Sequence, residues 1–320
     1  MRLVTFDAGA GPRLGTLIGE TRIADLARAG SDKAFASMQA LIEAGERGLD
    51  AARRAAEAAP EDALIERSEA RLLPPLPVPA RLRDCSLFLD HMEKALDNWA
   101  KKLAVNEADP EAALRELRAS GRFSLKPIFK QQVIYYNADH NGLSGDGDDV
   151  VWPSNSQWID YELEWACVVG ASARNVKAEN ARAHIFGYTI FNDWSLRDIQ
   201  MQVMEANLGP GEGKDFAGGN SLGPCIATPD EFDDPYKLTM LARVNGEEWS
   251  RGSTSTMHHS FEDAIAQFSR AGELRAGEII GSGTVLTGCG FELDRKLKDG
   301  DVVELEVEGI GVLRNRVVRG

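Results

Sequence analysis

Within "IDYELEWACVVG", residues 159–170, two glutamates stand two positions apart, Glu162 and Glu164, in a run that otherwise reads as a buried strand. Side chains at i and i+2 of a strand point to the same face, so the two carboxylates project together. Like charges held side by side next to a core repel and lose hydration unless something positive stands between them. Two further acids share that context: Asp193 closes the apolar run "IFGYTIFND", and Asp84 lies in "ARLRDCSLFLDH". Each alone has an ordinary reading, as solvated edge-strand glutamates or, for Asp193, as a helix N-cap. Together, on consecutive core strands, Glu162, Glu164 and Asp193, with Asp84 as a fourth, form an all-oxygen donor set. Such a set suits a hard divalent cation (Mg2+, Mn2+ or Ca2+) rather than zinc, and leaves coordination positions for water and a chelating substrate.

Asp193, Arg197 and Gln200 fall at i, i+4 and i+7, one stripe of a helix beginning at the strand end. An arginine and an amide there can hold a substrate carboxylate or carbonyl, or form a surface salt bridge beside a solvated amide. Lys214 sits in "GPGEGKDFAGGNSLGP", a Gly-rich loop that fits neither G-x-x-x-x-G-K-[ST] nor G-x-G-x-x-G. Turned toward the carboxylates, it would pair with them or with a developing oxyanion. His91 follows Asp84 by seven residues and is the histidine placed to act as a base. His258 and His259 lack the third histidine or cysteine that zinc would need. No G-x-S-x-G occurs, so a hydrolase triad of that kind is unsupported.

Strands must carry most of these groups. Residues 1–25 read as a small β unit ("MRLVTF", "GTLIGE", "TRIADL"), followed by Ala-rich helices over residues 31–69, interrupted at Pro60. "LLPPLPVPAR" then forms an extended linker, which sets a domain boundary: residues 1–75 as a small α/β N-terminal domain, 76–320 as the main domain. Residues 93–120 read as a surface helical insertion, two helices broken at Asp109-Pro110. Beyond residue 123 strand signals dominate, interrupted by "SLRDIQMQVMEA" and by "SFEDAIAQFSRA", which Ser260 and Asp263 open as a capping box. This balance predicts a β-rich α+β fold, barrel-like or a stack of folded sheets, rather than a doubly wound one.

The chain has 320 residues and a net charge of −14, with no Lys/Arg-rich block, which argues against nucleic acid and anionic membranes as partners. Four scattered cysteines without a C-x-x-C read as buried thiols. The absence of an apolar leader-like segment and of any long apolar run gives cytoplasm as the expected location.

The blocks "RDCSLFLDH", "DYELEWACVVG", "GYTIFNDWSLRDIQ", "GKDF…SLGP" and "GDVVELEVEGIGVLRNRV" closely resemble, in order and spacing, those of the fumarylacetoacetate hydrolase family over residues 80–320. The resemblance implies a homodimer built on a mixed β-roll, with a divalent metal held by Glu162, Glu164 and Asp193. In the fumarylacetoacetate hydrolases proper, the positions of Asp84 and His91 carry a fourth ligand and the general base. The acylpyruvase-like members use a His-x-x-Glu pair instead, but Lys94 stands three residues after His91 here. Arg197, Gln200 and Lys214 fall where that branch places substrate- and oxyanion-contacting side chains. Tyr136 and Thr284 are further substrate-contact candidates. Glu292 in "TGCGFELD", or Glu93, is the acid expected to orient the base. The chain departs from the family pattern at Gly218, where a threonine is common, and at Ser86, where an aromatic is usual. The implied reaction is metal-dependent hydrolysis of a C–C bond in a 2,4-dioxo acid during catabolism. The alternative is decarboxylation, hydration or isomerisation of a 2-keto acid at the same metal-enolate site.

Overall fold

Residues 1–320 are described by a computed structural model. The long apolar runs form its central strands. Leu163–Val169, Ile185–Asp193 and Asn220–Ala227 are buried at every position, because both faces of their sheet are covered. Val302–Val307 alternates buried and half-buried residues, as a strand with one wet face does.

The main sheet has eleven strands. Its central order runs Arg2–Asp7, Asn220–Ala227, Ile185–Asp193, Leu163–Val169, Glu278–Gly281, Arg81–Cys85 and Tyr135–Ala138, antiparallel except where Glu278–Gly281 lies parallel to Arg81–Cys85. The N-terminal hairpins extend one side of it through Arg2↔Ala227 and Leu3↔Ile226. The Pro-rich stretch therefore does not divide one sheet from another: residues 1–75 continue the sheet of the main segment. A second sheet of five strands carries the Val302–Val307 and Gly311–Arg319 hairpin, and neither sheet closes into a barrel.

The two faces of the main sheet build two cores. Trp165, Tyr188 and Ile190 pack with Phe261, Val303 and Leu305 on one face. On the other, Ala166, Val168, Leu222 and Ile226 join Leu41, Leu49 and Ala52 of the Met38–Glu57 helix. All four cysteines are buried and free.

Three local expectations are corrected. Residues 61–69 are not an α-helix: two single 3-10 turns, Glu61–Ala63 and Arg67–Glu69, flank Leu64–Glu66, a strand that pairs Arg22–Asp25, an edge partner that no local pattern announces. Asp193 is the last residue of its strand, not an N-cap. Ser195–Leu196 pairs with Ile159–Asp160 and delays the helix to Arg197–Met204, so Asp193 shares no helical stripe with Arg197 and Gln200. The insertion is anchored earlier than residue 93, by the helix Leu89–Ala104, whose His91, Asn98, Ala100 and Ala104 are buried. Its second helix, Pro110–Ala119, has no buried residue and is capped by Asp109, as its composition predicts.

Candidate active site

The strand ends converge on one cavity of about 290 Å3. Arg81–Cys85 presents Asp84, Ile185–Asp193 presents Asp193, and the start of Leu163–Val169 presents Glu164 with Glu162 just before it. The carboxylate oxygens of Asp84, Glu164 and Asp193 lie within 4.8 Å of one another. Glu162 stands to one side, ion-paired to Lys214 and, at 2.8 Å, to Arg197. The ligand set expected from the sequence is thus brought to one cavity, with Asp84 inside the cluster and Glu162 turned to the two cations.

Burial and crowding show in the acidities. Burial, and then the neighbouring Asp193, push the Asp84 carboxyl up to about 7. Burial also raises Glu164 well above the carboxylate range, with Asp84 adding to it, and lifts Asp193 to about 6 against the pull of Lys214. At Glu162 burial works the same way, but Lys214 and Arg197 outweigh it and bring the group down to about 2. Lys214 spends its ammonium on Glu162, on the Asp193 carboxylate and on the Asp193 carbonyl. Two cations against four buried acids leave a negative surplus, and Asp193 Oδ1 is buried with no hydrogen-bond partner. An orphaned oxygen inside an all-carboxylate cluster fits a hard divalent cation held by Asp84, Glu164 and Asp193, with Glu162 at its edge.

Supporting groups fix the cluster. The Gly283 N–H donates to Glu164 Oε2 at 3.0 Å and to Asp84 Oδ1 at 3.2 Å. Gly283 holds a φ of +75°, and a Cβ there would meet the Cys85 carbonyl at 2.1 Å, so glycine is required. Thr284 Oγ1 donates to Glu164 and Tyr136 OH to Asp193 Oδ2, at 3.2 and 2.6 Å. Both residues line the cavity, but their hydroxyls serve the carboxylates.

His91 lies on the cavity wall, with Nδ1 at 3.0 Å from Glu292 Oε2. The two form a close contact rather than an aligned hydrogen bond, since Nδ1 lacks a partner by bond geometry. Glu93 instead faces Lys130 at the surface. Glu292 does not line the cavity; it stands behind His91 on the short helix Gly290–Leu293, whose Phe291 and Glu292 carbonyls accept from Asn98 at 3.2 and 3.1 Å. Arg197 donates to Gln200 Oε1 at 2.9 Å, so these two share a helix face. At the departures from the family pattern, Gly218 holds a φ of +76°, where a threonine would be strained, and Ser86 donates to the Ile134 carbonyl.

Sequence reasoning missed Asp160. Wholly buried, it accepts from Arg197 Nε and from the N–H groups of Gly290 and Phe291, each at 2.9 Å, tying the arginine to the Glu292 helix. The signal was present: Asp160, Glu162 and Glu164 are spaced by two along one chain face. Asn98 gave no comparable signal, because an asparagine in an amphipathic helix reads as solvated.

Fold and cavity together place the chain among strand-rich α+β proteins that gather acids at their sheet ends. Residues 104–318 match the family model described as Fumarylacetoacetate (FAA) hydrolase C-terminal, and the chain belongs to that family. A mitochondrial oxaloacetate tautomerase of Homo sapiens is 31% identical over 331 residues, covering 99% of this chain and 92% of the relative. A fumarylacetoacetate hydrolase from Exiguobacterium antarcticum aligns over 100% of both chains with a TM-score of 0.74 and 25% identity. A maleylpyruvate hydrolase from Sphingobium sp. SYK-6, solved with manganese(II) and pyruvate, shares the fold at a TM-score of 0.73 and 24% identity, again over 100% of both chains. Solved structures with both hydrolase and isomerase names thus share this fold.

Proposed function

We propose that this protein is a divalent-metal-dependent hydrolase that cleaves an acylpyruvate, a 2,4-dioxo acid, into a carboxylic acid and pyruvate. The observation that carries the reading is a histidine backed by a buried carboxylate, His91 and Glu292, on the wall of a carboxylate-lined cavity. Asp84, Glu164 and Asp193, with Glu162, would hold the cation. Bound there, it supplies Lewis-acid chelation of the dicarbonyl, which lowers the energy of the enolate leaving group.

The side chains account for the remaining chemistry. Nδ1 of His91 faces Glu292, which leaves Nε2 to take a proton from water. The hydroxide oxygen bonds to the acyl carbonyl carbon. The C–C bond to the methylene then breaks, its electron pair passing to the pyruvate fragment. The imidazolium returns its proton to that carbon, so acyl carboxylate and pyruvate form from one water, with one proton released from the new acid. Arg197 and Gln200, fixed by Asp160, orient the substrate. Lys214 neutralises Glu162 and Asp193; with its donors engaged by them, its role in oxyanion stabilisation depends on their release.

A second reading, keto–enol tautomerisation of a 2-oxo acid, needs only the proton-transfer half of this scheme and is favoured by the human relative's name. Acylpyruvates incubated with Mg2+ or Mn2+ separate the two. Hydrolysis yields one pyruvate per enol absorbance lost, read with lactate dehydrogenase; tautomerisation changes the absorbance without pyruvate. If no acylpyruvate gives pyruvate, the hydrolase reading is abandoned.

A further inference from the structure

The cavity has two chemically distinct ends, set by two helices that start at the carboxylates. His91 opens one helix, and Met92, Leu96 and Trp99 continue its cavity side. Arg197 and Gln200 open the other, followed along the cavity by Met201 and Met204. Polar chemistry therefore occupies the first turn of each helix and apolar side chains the next one or two. Along the first helix, His91 to Trp99 spans roughly 12 Å at ~1.5 Å per residue. These half-exposed apolar side chains thus extend farther from the carboxylates than a pyruvate unit reaches.

Charge makes the same division. Arg197 and Lys214 are the lysine and arginine residues of the lining, and both are committed. Lys214 is held by Glu162 and Asp193, Arg197 by Asp160, Glu162 and Gln200. A second carboxylate at the far end would meet methionine, leucine and tryptophan, with no cation to pair it and four acids behind it. A carboxylate brought onto these half-exposed side chains gives up part of its hydration with no lysine or arginine of the lining free to pair it, whereas a methylene is stabilised there. The methionines also adapt to tails of differing shape.

We infer that the cavity selects 2-oxo acids with an uncharged, apolar tail of about four to eight carbons, the span of roughly two helical turns, and rejects tails that end in a carboxylate. This rests on the 2-oxo acid reading above and extends it to the far end of the substrate. Calorimetry on the Mg2+-loaded protein tests it without turnover, using 2-oxobutyrate, 2-oxohexanoate and 2-oxooctanoate against 2-oxoadipate. Kd is expected to fall about fourfold per added methylene, and 2-oxoadipate to bind at least about tenfold more weakly than 2-oxohexanoate, which has the same chain length. Leu96→Arg, with Met92→Arg as a second variant should the first fold poorly, is expected to reverse that order. A flat series, or 2-oxoadipate binding as tightly as 2-oxohexanoate, overturns the tail selectivity and leaves the 2-oxo acid reading standing. Failure of every 2-oxo acid to bind at millimolar concentration overturns both.

Discussion

At the scale of single residues, the site divides into groups that react and groups that hold. His91→Ala removes the base and leaves the carboxylate cluster untouched, so kcat on a cleavable acylpyruvate should fall by about 10²-fold or more. Metal affinity and melting temperature should stay near wild type; unchanged turnover would remove His91 from the chemistry. Asp160→Ala acts differently, since it strips the buried Arg197 of one of its two carboxylate partners, leaving Glu162, and frees the N–H groups of Gly290 and Phe291. Losing one member of a buried pair costs about 3–5 kcal/mol, which urea unfolding would register; a shift below about 1 kcal/mol would show the pair to be dispensable. Metal removal has a pH signature. Asp84 and Asp193, raised to about 7 and 6 in the metal-free fold, have ordinary carboxyls when unfolded. A carboxyl whose pKa is raised in the folded state contributes stability that is full below its unfolded value and is lost as pH rises through the folded one. With chelator present, calorimetry should therefore give a lower melting temperature at pH 8 than at pH 5.5, and added metal should narrow the gap. The acids and His91 were legible in the sequence because unlike residues interrupt apolar runs there. Asp160 was equally visible by spacing, but nothing local shows that an acid serves an arginine rather than a metal.

At the scale of elements, the central strands could be read from apolar runs, because burial on both faces leaves little room for polar residues. Short pairings could not: Leu64–Glu66 and Ser195–Leu196 are strands only because a distant edge is available to each. The second displaces the following helix and takes Asp193 out of it. The insertion looked like surface, yet its first helix lines the cavity with Met92 and Trp99 and clamps the Glu292 helix through Asn98. Asn98→Ala should thus lower kcat by slackening Glu292 behind His91, and should reduce stability by about 1–3 kcal/mol through two carbonyls left unpaired. A kcat loss with KM and metal affinity preserved would mark Asn98 as a positioning residue. Wild-type kinetics would mean that the Gly290–Leu293 helix holds its place without it.

At the scale of the whole molecule, the N-terminal segment and the rest are bound through one sheet. Family resemblance suggests a homodimer, for which light scattering should return about twice the 34.9 kDa chain mass; a monomer mass would end that assignment. Composition and the proline run suggested that residues 1–75 stand apart, because a linker's stiffness is local while strand pairing between residues 2 and 227 is not. Deleting the first 76 residues would bare the edge of Asn220–Ala227 and uncover Val168, Phe186, Leu222, Ile226 and Ile279, which now pack against the N-terminal helix and strands. Burying such side chains is worth roughly 1.5–3 kcal/mol each, so together they approach the ~5–15 kcal/mol by which a domain is stable. An exposed apolar edge strand also invites pairing with other chains. A chain beginning at Pro77 should therefore aggregate or melt without a cooperative transition, although every proposed ligand and His91 is retained. If that shorter chain is soluble, unfolds cooperatively and binds Mn2+ as the full protein does, the shared sheet is not what holds the strand ends of the site together.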